Sequence, residues 1–197
     1  MQRAFARIIC GALVILIVFA AVGCGELPAS TDPGATTYFC NVRHLTFNTY
    51  MDISCDGKAV GVISGNIFTW MTDPLQLTRD GNKVGYAADD YQIFGQDNHA
   101  IIVEDKMVFY MEGGQDWIGD DYKLRDPNGE AIAEIHFNAL NTGGILYDMS
   151  GSKIAEYSSS LIRDDFNVII YDTDLDHDAL LLLFASYWSD QHFDSEG

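Results

Sequence analysis

The sequence predicts a mainly β fold, a closed antiparallel barrel of about twelve strands around a central hydrophobic C-terminal helix. Three observations predict it. Turn signals recur at near-constant spacing, the segments between them alternate apolar and polar residues, and the chain ends in a block that is apolar on every side.

The turn signals are Asp56-Gly57, Asp80-Gly81, Glu104-Asp105-Lys106, Asn128-Gly129 and Ser150-Gly151. Asp-Gly and Asn-Gly tolerate the positive φ angles that two-residue hairpin turns demand, so each marks a hairpin for a stated reason. The steps between them, about 22 to 25 residues, are those of a repeated supersecondary unit. The flanking runs alternate as half-buried strands do. In Glu130–Asn138 one face takes Ala131, Ala133, Ile135 and Phe137, and the other takes Glu134, His136 and Asn138. In Lys106–Glu112 one side takes Met107, Phe109 and Met111. Ten hairpin strands, an opening strand near Leu45 and the run Phe166–Tyr171 bring the total to about twelve.

The C-terminal block Ala179–Trp188 follows Asp176-His177-Asp178. Asp176 is placed to accept from the first amides of a helix and Asp178 to complement its positive end, so a helix over about 177–189 is expected. Ten such residues span roughly 15 Å, about half a bilayer core, so the block does not cross a membrane as a straight helix. A helix apolar all round must instead be enclosed by protein. Twelve strands closed on themselves have no exposed edge and an interior too wide for side chains alone, since about eight strands already suffice for that. The helix fits as the plug. A two-sheet sandwich would leave it without a home.

Residues 1–23 read as a signal peptide: Arg3 and Arg7, an apolar stretch from Ile8 to about Ala20, then Ala21-Val22-Gly23 before Cys24. Small residues immediately before a cysteine resemble the lipobox of bacterial lipoproteins, which implies acylation of Cys24 and an extracytoplasmic domain anchored to the cell membrane or outer membrane. Residues 24–39, small, polar and broken by Pro28 and Pro33, then form the lipidated end and a tether, with the barrel domain at 40–197. With both leader arginines removed, the mature part holds 29 acids against nine bases. Such a surface repels phosphate backbones, so nucleic acid is not an expected partner. With Cys10 in the leader and Cys24 acylated, Cys40 and Cys55 remain as a disulfide pair, a cross-link worth about 3 kcal/mol in an oxidising compartment.

Tyr122-Lys123-Leu124-Arg125-Asp126-Pro127-Asn128-Gly129-Glu130-Ala131-Ile132-Ala133-Glu134-Ile135 resembles the repeated strand-turn-strand unit of LURP-one-related proteins and phospholipid scramblases. Asp165–Asp176, running into the apolar helix, resembles their last strand and C-terminal helix. Both families share the tubby C-terminal-like fold, and the resemblance, over roughly residues 42–194, implies a twelve-stranded barrel around a hydrophobic helix. It implies no single activity: tubby domains bind phosphoinositides, scramblases are linked to calcium-responsive lipid movement, and fold alone does not fix function. The bases here are scattered singly from Arg43 to Arg163, which does not assemble a headgroup pocket.

Candidate ligating residues are Asp172, Asp174 and Asp176, whose one-three-five spacing offers carboxylates to calcium as an EF-hand loop does, with Asp178 nearby. The matching scramblase segment has been proposed as a calcium site. His177 stands where an EF-hand has glycine and Leu183 where it has glutamate, so the alternative is a capped strand-to-helix turn. His136 with Glu134 forms a further polar pair, Trp117 sits in a loop able to mark a contact surface, and His44, His99, His177 and His192 show no ligand spacing. No GxSxG elbow, phosphate loop or CxxC is present. The expectation is a membrane-anchored, non-enzymatic binding or scaffold module with a protein or lipid partner, lipid- or calcium-linked. The alternative is a hydrolase or lipid-handling enzyme whose site assembles from dispersed residues.

Overall fold

The computed structural model describes residues 32–45, 48–66, 75–89, 99–113, 121–138, 140, 142–160, 164–171 and 173–193. Twelve strands run in sequence order around one closed antiparallel wall. They are β1 (Thr36–Leu45), β2 (Asn48–Cys55), β3 (Lys58–Asn66), β4 (Leu75–Arg79), β5 (Asn82–Asp89) and β6 (His99–Val103), then β7 (Lys106–Gly113), β8 (Asp121–Arg125), β9 (Ala131–Phe137), β10 (Gly143–Asp148), β11 (Lys153–Ser159) and β12 (Phe166–Ile170). β12 pairs with β1 and closes the ring. The helix, α1 (His177–Phe193), follows β12. The expected fold class is therefore the observed one, and α1 extends a turn beyond the expected 189.

Strand alternation gives the barrel two unlike ends. The five short turns, the start of β1 and the start of α1 lie at one, the turn end; the connections leaving β1, β3, β5, β7, β9 and β11 lie at the other, the loop end. The first two turns place Asp56 and Asp80 at φ 50°, followed by Gly57 at 71° and Gly81 at 77°, the left-handed geometry the dipeptides foretold. The turns after β8 and β10 are wider and are tied by aspartates. Asp126 Oδ1 accepts from the Asn128 and Glu130 amides at 2.9 and 2.8 Å, and Asp148 Oδ1 from the Ser150 and Ser152 amides at 2.8 Å each. With side-chain bonds from Asn128 and Ser150 as the largest cause, these contacts hold both carboxyls below the ordinary aspartate range.

Two expectations need correction. The tether was expected to run to residue 39, but β1 begins at Thr36; Thr36-Thr37-Tyr38-Phe39 is β-branched and aromatic, and Tyr38 is buried. The alternation was expected to carry Ala131 and Met107 inward. A β-bulge after each turn shifts the register, so that Ile132 and Val108 pack on the core while Met107 is 40% exposed. The same shift occurs beside Val60, Val84 and Ile154. Each bulged residue is Val or Ile and lies four positions after the first turn residue, at 60, 84, 108, 132 and 154. Together these five apolar side chains line the turn end around the base of the helix.

Every residue from Ala179 to Trp188 is inaccessible to solvent apart from Ser186 at 2%, and the Ser186 hydroxyl is satisfied by the Leu182 carbonyl at 2.8 Å. The helix lies against one side of the ring, β4, β5 and β6. Close approach there depends on Gly85: a Cβ at that position would sit 2.5 Å from the Ile102 carbonyl oxygen and 3.1 Å from Leu182 Cδ1. The opposite side is filled by rings. Tyr187 stacks on Phe137 and meets Tyr122 and Tyr157 edge-on, Phe184 stacks on Tyr157, and Trp188 lies on Phe166. Gly144, opposite Phe137 in register, leaves the space that ring occupies.

Gly85→Val therefore overpacks this close approach of helix to wall. Urea unfolding should show a loss of about 1–3 kcal/mol, whereas equal stability would show that the helix does not depend on this approach.

Candidate functional site

The residues that face the base of the helix form a polar ring at the turn end. Asp176 Oδ1 accepts from the Asp178 and Ala179 amides at 2.7 and 3.1 Å, which makes it the N-cap that the sequence foretold. Asp178 turns inward to Arg79 at the end of β4: the Arg79 Nε donates to both carboxylate oxygens at 3.0 and 3.1 Å, and Nη2 donates to Oδ1. The remaining Nη1 donates to the Val60 carbonyl at 2.8 Å, tying the β3 bulge to the same pair. Beside it the Tyr38 hydroxyl meets His177 Nδ1 at 3.0 Å. Burial, helped by the Cys55 and Asp178 charges, pushes the Tyr38 hydroxyl up from its usual range.

Of the four carboxylates proposed for calcium, the three among the described residues take separate roles. Asp172 lies outside the described residues, Asp174 is exposed, Asp176 caps the helix and Asp178 holds Arg79. Among the described residues, no group of three or more His, Cys, Asp or Glu side chains is arranged to hold a metal ion. The capped turn is the arrangement found. Cys24 and Trp117 also lie outside the described residues.

The expected disulfide is corrected. Cys40 and Cys55 are free thiols. The β1–β2 register sets Cys40 opposite Ile53 and Cys55 opposite Tyr38, so the two cysteines are diagonal neighbours rather than a facing pair. Diagonal Cα atoms in a ladder lie about 7–8 Å apart, beyond the roughly 6.8 Å that a disulfide spans. Cys40 is fully buried, and desolvation pushes its thiol far up; Cys55 is partly exposed and raised less, with burial and Asp56 raising it against Arg79.

Two outer constellations resemble catalytic or ligating sets. At the loop end His44 Nδ1 lies 3.2 Å from Thr49 Oγ1, with Nε2 3.7 Å from Asp164, a hydroxyl, imidazole and carboxylate in sequence. Thr49 is only 2% exposed and the carboxylate is beyond hydrogen-bond reach, so the set does not present a nucleophile. On the outer wall His136 pairs with Asp121 at 2.8 Å, and Glu134 turns to Lys123 at 3.7 Å. His136 and Glu134 thus take different partners on that wall.

Sequence reasoning missed a buried polar contact between the wall and the helix. His99, at the loop end of β6, meets Asp190 near the C-terminus of α1 at 2.6 Å, with side chains 6% and 8% exposed. Nothing local links residues 91 apart; the available hint was a charged residue closing an otherwise apolar helix.

Two outcomes follow. Iodoacetamide should label Cys55 in the native protein and Cys40 only in denaturant, read by peptide mapping; a linked, unlabelled pair under non-reducing conditions would restore the disulfide. His99→Ala or Asp190→Ala each leaves a buried polar partner and should cost about 3–5 kcal/mol in chemical denaturation, with a clear recovery in the Leu–Leu double replacement. No protein-family model, no curated protein and no solved structure matches this chain.

Proposed function

We propose that this chain is an extracytoplasmic lipoprotein of the tubby-like kind, anchored through an acylated Cys24, whose barrel is a non-enzymatic binding or scaffold module. The observation that carries the reading of the barrel is its filled interior. The helix and the aromatic rings facing it occupy the interior with their own side chains, and the polar groups at the helix ends are committed: Asp176 to the cap, Asp178 to Arg79, Asp190 to His99. Recognition is left to the outer wall and to the two rims.

The anchor rests on the leader, in which an apolar run ends in Ala21-Val22-Gly23-Cys24, and on the short polar stretch before β1. A lipid surface is then the first partner, reached by acylation rather than by a basic pocket. Calcium enters this reading only as a ligand for exposed acids at the turn end, where Asp174 and the turn carboxylates face solvent.

In membrane fractionation of a bacterial host, the wild-type chain should sediment with membranes and carry a lipid-modified N-terminal peptide. Cys24→Ser should appear in the soluble extracytoplasmic fraction. A variant that still sediments with membranes would remove the lipoprotein reading.

A further inference from the structure

The two ends of α1 are fastened by different chemistry. At the base Asp178 is held by Arg79, whose guanidinium stays charged across the physiological range. At the loop end Asp190, in the last turn, is held by His99, whose imidazole gains or loses a proton near neutral pH. Both side chains are buried, with Nε2 and Oδ2 2.6 Å apart. A carboxylate in that place is poorly supported by its own helix, because the last turn is already the negative end of the dipole.

We propose that the His99–Asp190 pair is a pH-sensitive latch on the C-terminal turn of α1, closed while the imidazole is protonated and loosened when it is not. Burial alone disfavours a charge on either group. In the pair the two charges cancel, and the 2.6 Å contact becomes a charge-assisted bond. A neutral imidazole can still donate from Nε2, but it leaves an enclosed carboxylate without a compensating charge. Water reaches Asp190 once the last turn leaves the wall.

The surroundings are acidic. Across the ladder, Asp89 on β5 and Met111 on β7 stand opposite His99 in register. β4 and β12, which also touch the helix, bring Leu75 and Phe166 to this end. On β1 the His44 ring stacks on Trp188, and its Nε2 lies 3.7 Å from Asp164. Arg43 and His136 are taken on the outer wall by Asp52 and Asp121. His192, on the same turn as Asp190, has its side chain outside the described residues. By sequence the loop-end connections hold seven aspartates and one base, Arg163. A field of that sign favours imidazolium over imidazole.

Linkage gives the sign. The closed state holds the imidazole proton more tightly than the open one, so rising pH loosens the latch and falling pH through the histidine range closes it. Asp190 acts in the opposite sense: the closed state favours its carboxylate, and acid strong enough to protonate it removes the attraction. The latch is therefore firm between about pH 4 and about pH 6.5, the ordinary values of a carboxyl and an imidazole. Each unit by which the closed state raises the imidazole above its ordinary value changes the closed-to-open ratio about tenfold. Arg79 keeps its charge throughout, so the base of the helix stays in place and the change is confined to the loop end.

Deuterium exchange of the full chain, read by mass spectrometry and corrected for the intrinsic pH dependence of amide exchange, tests the latch. From about pH 6 to about pH 9, protection of peptides covering Ser189–Phe193 should fall about tenfold or more, while that of β8–β11 peptides holds. His99→Gln offers Asp190 a donor with no titrating proton, and Asp190→Asn removes the carboxylate; in each, the pH response of that turn should vanish. The two variants are independent, so one still reads the latch if the other fails to fold. His44→Gln should keep the response, which separates the latch from the second imidazole at this end. Constant protection across that range in the wild-type chain, a fall that survives in both His99→Gln and Asp190→Asn, or a response lost in His44→Gln alone would overturn the proposal.

Discussion

Enclosure of a helix with no polar face governs this molecule. Each buried leucine of α1 contributes about 2 kcal/mol only if water is excluded on all sides, and no single sheet face can do that. A closed wall can. Twelve strands give the diameter a helix needs, and closure removes the open edges that an unsupported sheet of this length would expose. The helix is not coaxial with the ring: glycine and alanine on β5 let it lean against β4–β6, while aromatic rings on β8–β12 and on the helix itself fill the opposite side. Off-centre placement leaves the far side of a twelve-stranded ring to these aromatic rings, which pack on the helix there.

The turn end carries a second layer of the same logic. A ring of hairpins would leave the base of the helix open to water between the strands. The bulges at Val60, Val84, Val108, Ile132 and Ile154 prevent this by turning one extra β-branched side chain inward from each hairpin. The polar groups that remain, Arg79, Asp178, Tyr38 and His177, then bond across the helix start rather than to solvent. The loop end is closed by different means, with His44 stacked on Trp188 and His99 bonded to Asp190.

Much of this architecture was legible in the sequence because its determinants are local. Asp-Gly at 56 and 80 needs only its own φ angles to make a hairpin, and an apolar run after Asp176 needs only its composition to require burial. The bulges were not legible: a period of two assigns Met107 and Ala131 inward, and only the pairing partner across the ladder reveals the shift. The thiols failed for a related reason. Counting leaves Cys40 and Cys55 as a pair, but register sets them diagonal. Asp178 was read as a candidate ligand because Arg79 lies 99 positions away; long-range ion pairs leave no periodic trace. His99 and Asp190 were invisible on the same ground.

The distribution of bases relates the fold to the proposed anchor. Six of the nine mature bases, Lys58, Arg79, Lys83, Lys106, Arg125 and Lys153, flank the turns. They offset part of the acidity at that end, where Asp56, Asp80, Glu104, Asp105, Asp126, Glu130, Asp148, Asp174, Asp176 and Asp178 still outnumber them. β1 starts at the turn end, so the proposed tether would leave the barrel from the end that holds these bases. Anionic headgroups repel an acid-rich surface over roughly a Debye length, about 8 Å in physiological salt. Bases interleaved with the turn acids weaken that repulsion at the end from which the proposed tether would leave.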